Sequence, residues 1–274
     1  MRLSVTLGGH GYTFRDVREV MGKANEEKTG DHLAGVAAQT PQERVAARVV
    51  LSNLRVCDIC EHPAVPYEQD EVTRLILDDL NTRIYDRYKD MTIGALREHI
   101  LSADDTELSV LRRGLSSEVI AAVCKLMSNL DLIYAARKMR VTATCVTTIG
   151  EAGTLSARLQ PNHPIDDVEG ITASTLEGLS FGVGDAVIGL NPVDASTESV
   201  KAILGRFAEL KEKYQIPTQI CVLAHITTGM EAVRQGAPCD VMFQSIAGSE
   251  KGNRAFGISN AMIQAAPPAA EVMA

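Results

Sequence analysis

The segment GDAVIGLNP, residues 184–192, decides how the second half of this chain folds. It is a short apolar run that begins after Gly184 and ends at Asn191 and Pro192. This length, with turn-forming residues on both sides, is typical of a buried β-strand. Three other segments share the pattern, namely VTATCVTTIG (141–150), PTQICVLAH (217–225) and CDVMFQS (239–245).

Helical patterns separate these four segments. They are DDVEGITASTLEGLSF (166–181), STESVKAILGRFAELKEKY (196–214), TGMEAVRQG (228–236) and a weaker pattern after Lys251. Four repeats of strand and helix, with nearly continuous apolar strands, predict a parallel sheet that helices cover. No GxGxxG motif follows any of the strands, which argues against a dinucleotide-binding Rossmann domain.

Residues 1–140 have a different character and predict a mainly helical region after a short hairpin at residues 1–14. The strongest helix-start signal is a capping box, with Thr40 as N-cap, Pro41 at the first helical position and Glu43 at the third. The spacing of apolar residues predicts helices over 14–27, 40–54 and 70–90, a helix capped by Thr92, and one helix from 116 to 138.

Composition limits the class of protein. The 274 residues are 45% hydrophobic, which is enough for a large core, and the formal net charge is −8. No block of Lys and Arg marks a phosphate-binding face, so we expect no nucleic-acid partner. The longest apolar runs have the length of strands and the first residues do not resemble a signal peptide, so we expect a cytoplasmic protein without a membrane span.

The six cysteines are expected to be free thiols in a reducing compartment. Cys57 and Cys60 form a CxxC motif close to His62, but no second CxxC or HxxxH supplies the remaining ligands of a zinc site. We therefore expect structural cysteines and no protein-bound metal.

Polar residues recur where the predicted strands end. They are Thr147, Thr148, Asn191, His225, Gln244 and Ser245, and Arg158 and Gln160 follow in the loop SARLQPN (156–162) after the first predicted strand. Active sites of (β/α) barrels are built at the carboxyl ends of the strands. Any one of these residues could be a loop anchor, but six of them at the ends of four strands indicate a site.

Four strand–helix units are half of what a closed barrel needs, since such barrels have eight strands and about 250 residues. The chain is then either a small open α/β sheet or the first half of a TIM-type (β/α)8 barrel, and we favour the half barrel. The expected organisation is a helical region at 1–140, the first four βα units at 141–265 and an atypical tail at 266–274. The tail, with Pro267 and Pro268, suits either a truncated gene or a natural flexible end.

Several segments carry a resemblance to a known family. They are DHLAGVAA (31–38), QERVAAR (42–48), LSSEVIAAV (115–123), TTIG (147–150), SARLQPN (156–162), EGLSFGVGDAVIG (177–189), CVLAH (221–225), FQSI (243–246) and GSEKG (248–252). From near Met1 to about Gly257 the chain resembles the large subunit of ethanolamine ammonia-lyase. We expect the residues after about Met262 to depart from that family.

The resemblance implies an adenosylcobalamin-dependent radical enzyme, a carbon–nitrogen lyase that converts ethanolamine into acetaldehyde and ammonia. It implies a TIM-type barrel after a helical region, a small subunit as partner, and assembly with further large subunits. Because the later strands of the family's barrel are absent here, we expect the isolated chain to be inactive. A non-catalytic remnant that only associates with partner subunits is the alternative, and residence in a bacterial microcompartment stays open.

The resemblance also implies roles for individual residues. Arg158 is the expected catalytic residue, and the expected substrate contacts are Arg158, Leu159, Gln160 and Asn191. For the cofactor it implies Pro192 through its backbone, together with Gln244 and Ser245. Since the cofactor of this family keeps its own base as lower ligand, His225 is not expected to bind cobalt.

The residue types suit these roles, because a carboxamide can both donate and accept hydrogen bonds and a guanidinium is a fixed cation. A purely structural alternative for Arg158 is an ion pair with Asp166 or Asp167.

Overall fold

A computed structural model of the chain describes residues 1–265. The predicted tail at 266–274 therefore lies outside the described residues. The chain divides into two compact units, the first spanning Met1–Arg140 and the second beginning at Val141.

The first unit consists of an antiparallel hairpin followed by helices. The elements are β1 (Ser4–Leu7), β2 (His10–Thr13), α1 (Val17–Lys23), α2 (Thr29–Leu33), α3 (Pro41–Asn53), α4 (Val56–Cys60), α5 (Glu71–Asp78), α6 (Thr82–Tyr88), α7 (Ile93–Ser102), α8 (Asp105–Leu111), α9 (Ser117–Lys125) and α10 (Asn129–Lys138). Short 3-10 turns lie at Tyr67–Gln69 and Arg112–Gly114. In the hairpin, Leu7 pairs with His10, and Gly8 and Gly9 form the turn with positive φ.

The start of α3 confirms Thr40 as N-cap, because its side chain accepts a hydrogen bond from Glu43 N at 3.1 Å. In a capping box the Glu43 carboxylate would accept from the N–H of Thr40, but here it has a different donor. The Glu43 carboxylate accepts from Gln39 N at 2.6 Å, one residue before the cap. The predicted cap is therefore confirmed, but the full capping box is not formed, because the Glu43 carboxylate binds the N–H of Gln39 and not that of Thr40.

Two predicted long helices are wrong, since each is broken into two. The pattern over 70–90 forms α5 and α6, and Asn81 caps the second helix by accepting from Ile84 N at 3.2 Å. The pattern over 116–138 forms α9 and α10, and Ser128 forms a capping box with Asp131. The short side chains of Asn and Ser accept hydrogen bonds from backbone N–H groups and so replace the carbonyl acceptors of the preceding turn. A new helix therefore begins after each of them, although the apolar spacing continues across the break.

The second unit contains a small hairpin, a parallel sheet and its covering helices. The elements are β3 (Ala143–Thr144), β4 (Thr148–Ile149), β5 (Arg158–Leu159), α11 (Val168–Ser180), β6 (Val187–Leu190), α12 (Thr197–Tyr214), β7 (Ile220–Val222), α13 (Ile226–Arg234), α14 (Glu250–Ala255) and α15 (Asn260–Gln264). The chain thus has the α/β character that the alternation of patterns predicted.

The parallel sheet has the order β5-β6-β7, so its strands lie in the order of the chain. Leu159 is in register with Ile188, and Ile188 with Ile220. A parallel bridge between Leu223 and Phe243 extends the sheet beyond β7. The predicted fourth strand is therefore a single bridge among the described residues rather than a full strand.

The helices α11, α12 and α13 pack on one face of this sheet. The core between them contains Leu159 from β5, Ile188 and Leu190 from β6, and Ile220 and Val222 from β7. Phe207 of α12 is fully buried among these side chains. Gly178 of α11 allows the close approach to β5, because a Cβ there would lie 2.3 Å from Leu159 Cδ1.

The first predicted strand, at 141–150, is not part of the parallel sheet. It forms the antiparallel hairpin β3–β4, in which Ala143 pairs with Ile149 and Thr144 with Thr148. Both residues of β3 are exposed. β-branched residues favour any pleated surface, and this segment is too polar to be buried on both faces as a central parallel strand must be. The first strand of the sheet is β5, which the sequence analysis placed in a loop.

All six cysteines are free thiols. Across residues 1–265, no cluster of three or more His, Cys, Asp and Glu side chains is arranged to hold a metal ion. Within the same range, no helix combines the length and the apolar character needed to cross a bilayer.

Candidate functional site

The candidate site lies on the sheet face that the helices do not cover. Successive side chains of a strand point to opposite faces of the sheet. Because Leu159 points into the core under the helices, Arg158 points to the other face. Gly189 and Cys221 are in register on β6 and β7 and lie on the Arg158 side, with Phe243 beyond them. We call the four residues Arg158, Gly189, Cys221 and Phe243 the arginine face.

Arg158 makes few polar contacts on this face. Its Nη2 donates to the Gly189 carbonyl oxygen at 3.4 Å, and its guanidinium carbon lies 4.6 Å from the centre of the Phe243 ring. Its Nε is buried and has no hydrogen-bond partner among the described residues. Arg44 and Arg97 also have a buried Nε without a partner in this part of the chain, so the position of Arg158 on the sheet, and not the unpaired atom by itself, makes it a candidate.

The structural alternative for Arg158, an ion pair with Asp166 or Asp167, is wrong for the described residues. Asp166 Oδ2 accepts from the backbone N–H of Asp194 at 2.7 Å. Asp167 Oδ2 accepts from Gly170 N at 2.7 Å and caps α11. Asp166 thus binds the backbone of the loop after β6 and Asp167 binds the start of its own helix, and no ion pair of Arg158 is formed within residues 1–265.

Gly189 brings β6 and β7 close together beneath the guanidinium. A Cβ at this position would lie 2.4 Å from Cys221 Sγ, so a larger residue would force the strands apart. Burial raises the pKa of the Cys221 thiol, and the nearby Arg158 charge lowers it in part. Cys221 is 3% exposed and neutral, so it packs against the arginine rather than neutralising it.

Gln160 and Asn191 lie where β5 and β6 end, at what we call the carboxyl edge of the sheet. Both side chains are exposed and neither makes a side-chain hydrogen bond in the described part of the chain. The loops that carry them are joined, because Asn162 Oδ1 accepts from Asn191 N at 3.0 Å. Asp166, which adopts a left-handed conformation with φ of 53°, holds Asp194 in the same pair of loops.

Leu159 is separated from the other proposed substrate contacts. Its side chain packs against α11 in the core on the helix-covered face. Only the backbone of Leu159 is therefore left for a ligand on the arginine face.

The residues proposed for the cofactor also lie at the carboxyl edge. Gln244 joins two loops, since its Oε1 accepts from Ile226 N and its Nε2 donates to the Ser245 carbonyl, each at 2.8 Å. Ser245 is exposed and Pro192 is half-buried after β6. Gln244 therefore has a structural role, and one of its two amide hydrogens has no acceptor in the part of the chain that the structure describes.

His225 begins α13 and its imidazole is a helix cap. Its Nδ1 accepts from Thr227 N at 3.4 Å and lies 2.7 Å from Thr227 Oγ1. A Cβ placed on Gly257 would lie 3.6 Å from Nε2, so that nitrogen faces the loop after α14.

Thr147 and Thr148 do not belong to this group, and their assignment to the carboxyl edge is wrong. Thr147 N donates to Gln219 Oε1 at 3.0 Å, and Thr147 Oγ1 donates to the Asp185 carbonyl at 3.5 Å. Gln219 and Asp185 precede β7 and β6, so the β3–β4 hairpin lies at the opposite, amino edge of the sheet. The error has the same origin as the misplaced first strand.

Sequence reasoning missed four residues that shape the site or the sheet beneath it. They are Asn162, Gly189, Gln219 and Phe243. Strand alternation in CDVMFQS places Phe243 and Met242 on opposite faces, which was a usable signal. No local pattern distinguishes Gln219 or Asn162 from ordinary polar loop residues.

Comparison with known sequences gives a consistent result. The sequence profile of the ethanolamine ammonia lyase large subunit (EutB) family matches residues 12–273, which continues past Met262, where a departure was expected. The chain is 53% identical over 268 residues to the ethanolamine ammonia-lyase large subunit of Escherichia coli (strain K12), and equally to that of Salmonella typhimurium (strain LT2).

These matches cover 97% of this chain but 59% of each relative, so the chain spans well under two thirds of their length. The relatives are lyases by name. With nearly the whole chain matched by the profile and by both relatives, the chain belongs to the ethanolamine ammonia-lyase large-subunit family.

Proposed function

We propose that this chain is the large-subunit component of an ethanolamine ammonia-lyase, which converts ethanolamine into acetaldehyde and ammonia. Beside the family match, one structural observation supports the proposal, namely that the buried Arg158 Nε on the arginine face has no acceptor among the described residues. Burying part of a cation without a partner is costly. In a chain of this family, such a donor is well suited to the oxygen of an amino alcohol.

The sheet is proposed to be the beginning of a TIM-type barrel. Two features support this: the order β5-β6-β7 follows the chain, and α11, α12 and α13 lie on one face. A doubly wound sheet reverses its strand order and carries helices on both faces, whereas a barrel does neither. In a barrel the arginine face would line the interior, and the carboxyl edge would form the mouth.

In this arrangement Arg158 would select the orientation of the substrate. Its fixed positive charge attracts the hydroxyl oxygen as that oxygen gains negative character, and it repels the ammonium group. Gln160 and Asn191 would add carboxamides that can donate and accept, because their side chains are exposed and otherwise unengaged in the described residues. Leu159 would contribute through its backbone.

The residues at the carboxyl edge fit a nucleoside-containing cofactor. The exposed Ser245 hydroxyl and the remaining Gln244 N–H suit ribose hydroxyls and ring nitrogens, and Pro192 offers a carbonyl. Adenosylcobalamin, when bound, would supply radical chemistry that side chains cannot perform. The protein's part is to bind, orient and shield the substrate, and His225 is left as a helix cap.

The isolated chain is proposed to be inactive. The substrate ammonium needs carboxylates in a dry site. At the carboxyl edge, Asp166 Oδ2 accepts from Asp194 N and the Asp194 carboxylate accepts from Ser196, while the buried Asp166 Oδ1 has no partner among the described residues. One buried carboxylate oxygen is too little to enclose an ammonium group. We place the carboxylates that would bind the ammonium in the part of the relatives that this chain does not match. We further propose a small subunit and additional large subunits as partners, and the cytoplasm as the location, with a microcompartment left open.

The first experiment measures cofactor retention and turnover separately. The purified chain is mixed with the small subunit and adenosylcobalamin, and the visible spectrum of retained cobalamin is recorded beside acetaldehyde release. We expect retention without turnover. Acetaldehyde release by the chain itself would refute the proposed incompleteness, and a folded chain without retention would favour the non-catalytic remnant.

The second experiment tests Arg158 in a chimera that carries the unmatched part of the Escherichia coli large subunit. Arg158→Ala should lower kcat/KM by about 100-fold, and Arg158→Lys should restore part of it. An unchanged kcat/KM in Arg158→Ala, with normal folding, would refute the proposed role.

A further inference from the structure

The contacts of Arg158 single out one aromatic residue. The guanidinium carbon lies 4.6 Å from the centre of the Phe243 ring, well inside the range of a cation–π contact. The polar contact on the same face is weaker, since the bond from Nη2 to the Gly189 carbonyl is 3.4 Å long. Phe243 is thus the principal contact that fixes the guanidinium in the described part of the chain.

The sheet determines where the Phe243 ring points. The parallel bridge to Leu223 makes Phe243 the next position beyond β7. Its neighbour Met242 packs toward α13, where a Cβ on Gly229 would lie 2.7 Å from Met242 Sδ. Alternation along the segment therefore turns Phe243 to the arginine face.

An aromatic ring and a carboxylate can both hold an arginine side chain, but they differ in what they leave of its charge and its N–H donors. A carboxylate would neutralise the guanidinium and occupy its donors, as ion pairs do. A ring attracts the cation through its π face and leaves the N–H groups at the rim of the guanidinium available. Arg158 Nε has no partner within residues 1–265, which agrees with the second arrangement.

We propose that Phe243 is a positioning residue, which holds the Arg158 guanidinium over the arginine face while leaving its charge and its donors for the substrate oxygen. This inference rests on the proposed function, since it concerns the same site. It assigns Phe243 an effect on the reaction that is exerted through Arg158.

The deciding measurement is the NMR spectrum of the full 274-residue chain. Protons that lie over an aromatic ring are shifted upfield, so the Arg158 side-chain protons should resonate upfield in the native chain. Assignment uses the signals that disappear in Arg158→Lys. The shift should persist in Phe243→Tyr, which keeps the ring, and vanish in Phe243→Leu, which keeps an apolar side chain without one.

Phe181→Leu is the matched control, because Phe181 is 76% exposed and lies at the end of α11. It should leave the Arg158 signals in place. If Phe243→Leu does not fold, Phe243→Met provides the same test. Identical Arg158 signals in the native chain and in the folded ring-less variant would overturn the proposal.

A kinetic measurement in the chimera tests whether the positioning matters. Phe243→Leu should lower kcat/KM by about 10-fold, as expected for a desolvated cation–π contact, and Phe243→Tyr should recover most of the loss. A lost upfield shift with unchanged kinetics would overturn the positioning role. A native chimera without any turnover would instead count against the proposed function, and the NMR result would still decide whether Phe243 holds Arg158.

Discussion

Gln219 and Gln160 lie at opposite edges of one parallel sheet, and their side chains differ in how many hydrogen bonds they make. At the amino edge, Gln219 is 1% exposed and all its polar atoms are engaged. Its Oε1 accepts from Val146 N at 3.1 Å and Thr147 N at 3.0 Å, and its Nε2 donates to Thr147 Oγ1 and to the Ala186 carbonyl. At the carboxyl edge, Gln160 is exposed and its carboxamide has no partner in the described residues.

The same residue type therefore stabilises the fold at one edge and is available for binding at the other. In barrel enzymes, residues at the amino ends of the strands serve stability and those at the carboxyl ends serve catalysis. Here the difference is visible in Gln219, whose donors and acceptors are engaged, and in Gln160 and Asn191, whose carboxamides have no partner in the described part of the chain. Gln244 is the exception at the carboxyl edge, because its carboxamide joins two loops. Substitutions at each edge test that division.

The largest effect is expected from Gln219→Leu. This change leaves Val146 N, Thr147 N and the Ala186 carbonyl without their partner at a buried position. We expect the free energy of unfolding to fall by about 3 kcal/mol, as measured by urea denaturation.

The matched change at the other edge is Gln160→Leu. Among the described residues the Gln160 side chain makes no hydrogen bond that this change could remove, so stability should change by less than about 0.5 kcal/mol. Equal losses from the two variants would show that the edges do not differ in this way.

Asp240→Ala is expected to have the next largest effect. Asp240 Oδ2 accepts from Ile220 N at 2.9 Å and pairs with Lys211 Nζ at 2.6 Å, which ties α12 to the start of β7. We expect a loss of about 2 kcal/mol by the same measurement, since a partly buried bond to a charged group is removed. Asp240→Asn keeps an acceptor for Ile220 N and should lose less. A larger loss in Asp240→Asn would contradict this account.

The sequence was sufficient for some of these features and not for others. The strands β6 and β7 were predictable because a short apolar run between turn-forming residues is typical of a buried β-strand. The segment 141–150 was misplaced because β-branched residues indicate strand but do not specify a partner. Arg158 was identified by family resemblance, whereas its contact with Phe243 depends on two segments of the sheet that are far apart in sequence. Such pairings follow from the register of the sheet and not from local pattern.

The amino edge should also respond to alkaline pH through Cys239. Burial in the core raises the pKa of this thiol to about 11, from 9.0 for an ordinary one. The neutral thiol is therefore favoured by folding, so its contribution is complete below pH 9 and is lost as the pH rises toward 11. We expect a loss of about 1 kcal/mol by pH 10.

Urea denaturation of Cys239→Ala between pH 8 and pH 10 should show a smaller decline with pH. Cys124→Ala, which changes an exposed thiol, is the control and should keep the native slope. The same slope in all three proteins would assign the alkaline loss to other groups.

The smallest effect is expected from Asn191→Ala, and it tests the carboxyl edge most directly. The bond that orders this loop uses the backbone, since Asn191 N donates to Asn162 Oδ1 at 3.0 Å, and alanine retains that donor. The exposed side chain has no other engagement among the described residues, so stability should change by less than about 0.5 kcal/mol, while kcat/KM in the chimera should fall. Asn162→Leu removes the acceptor instead and should cost more stability. If Asn191→Ala were the more destabilising of the two, Asn191 would be a structural anchor, and the carboxyl edge would resemble the amino edge after all.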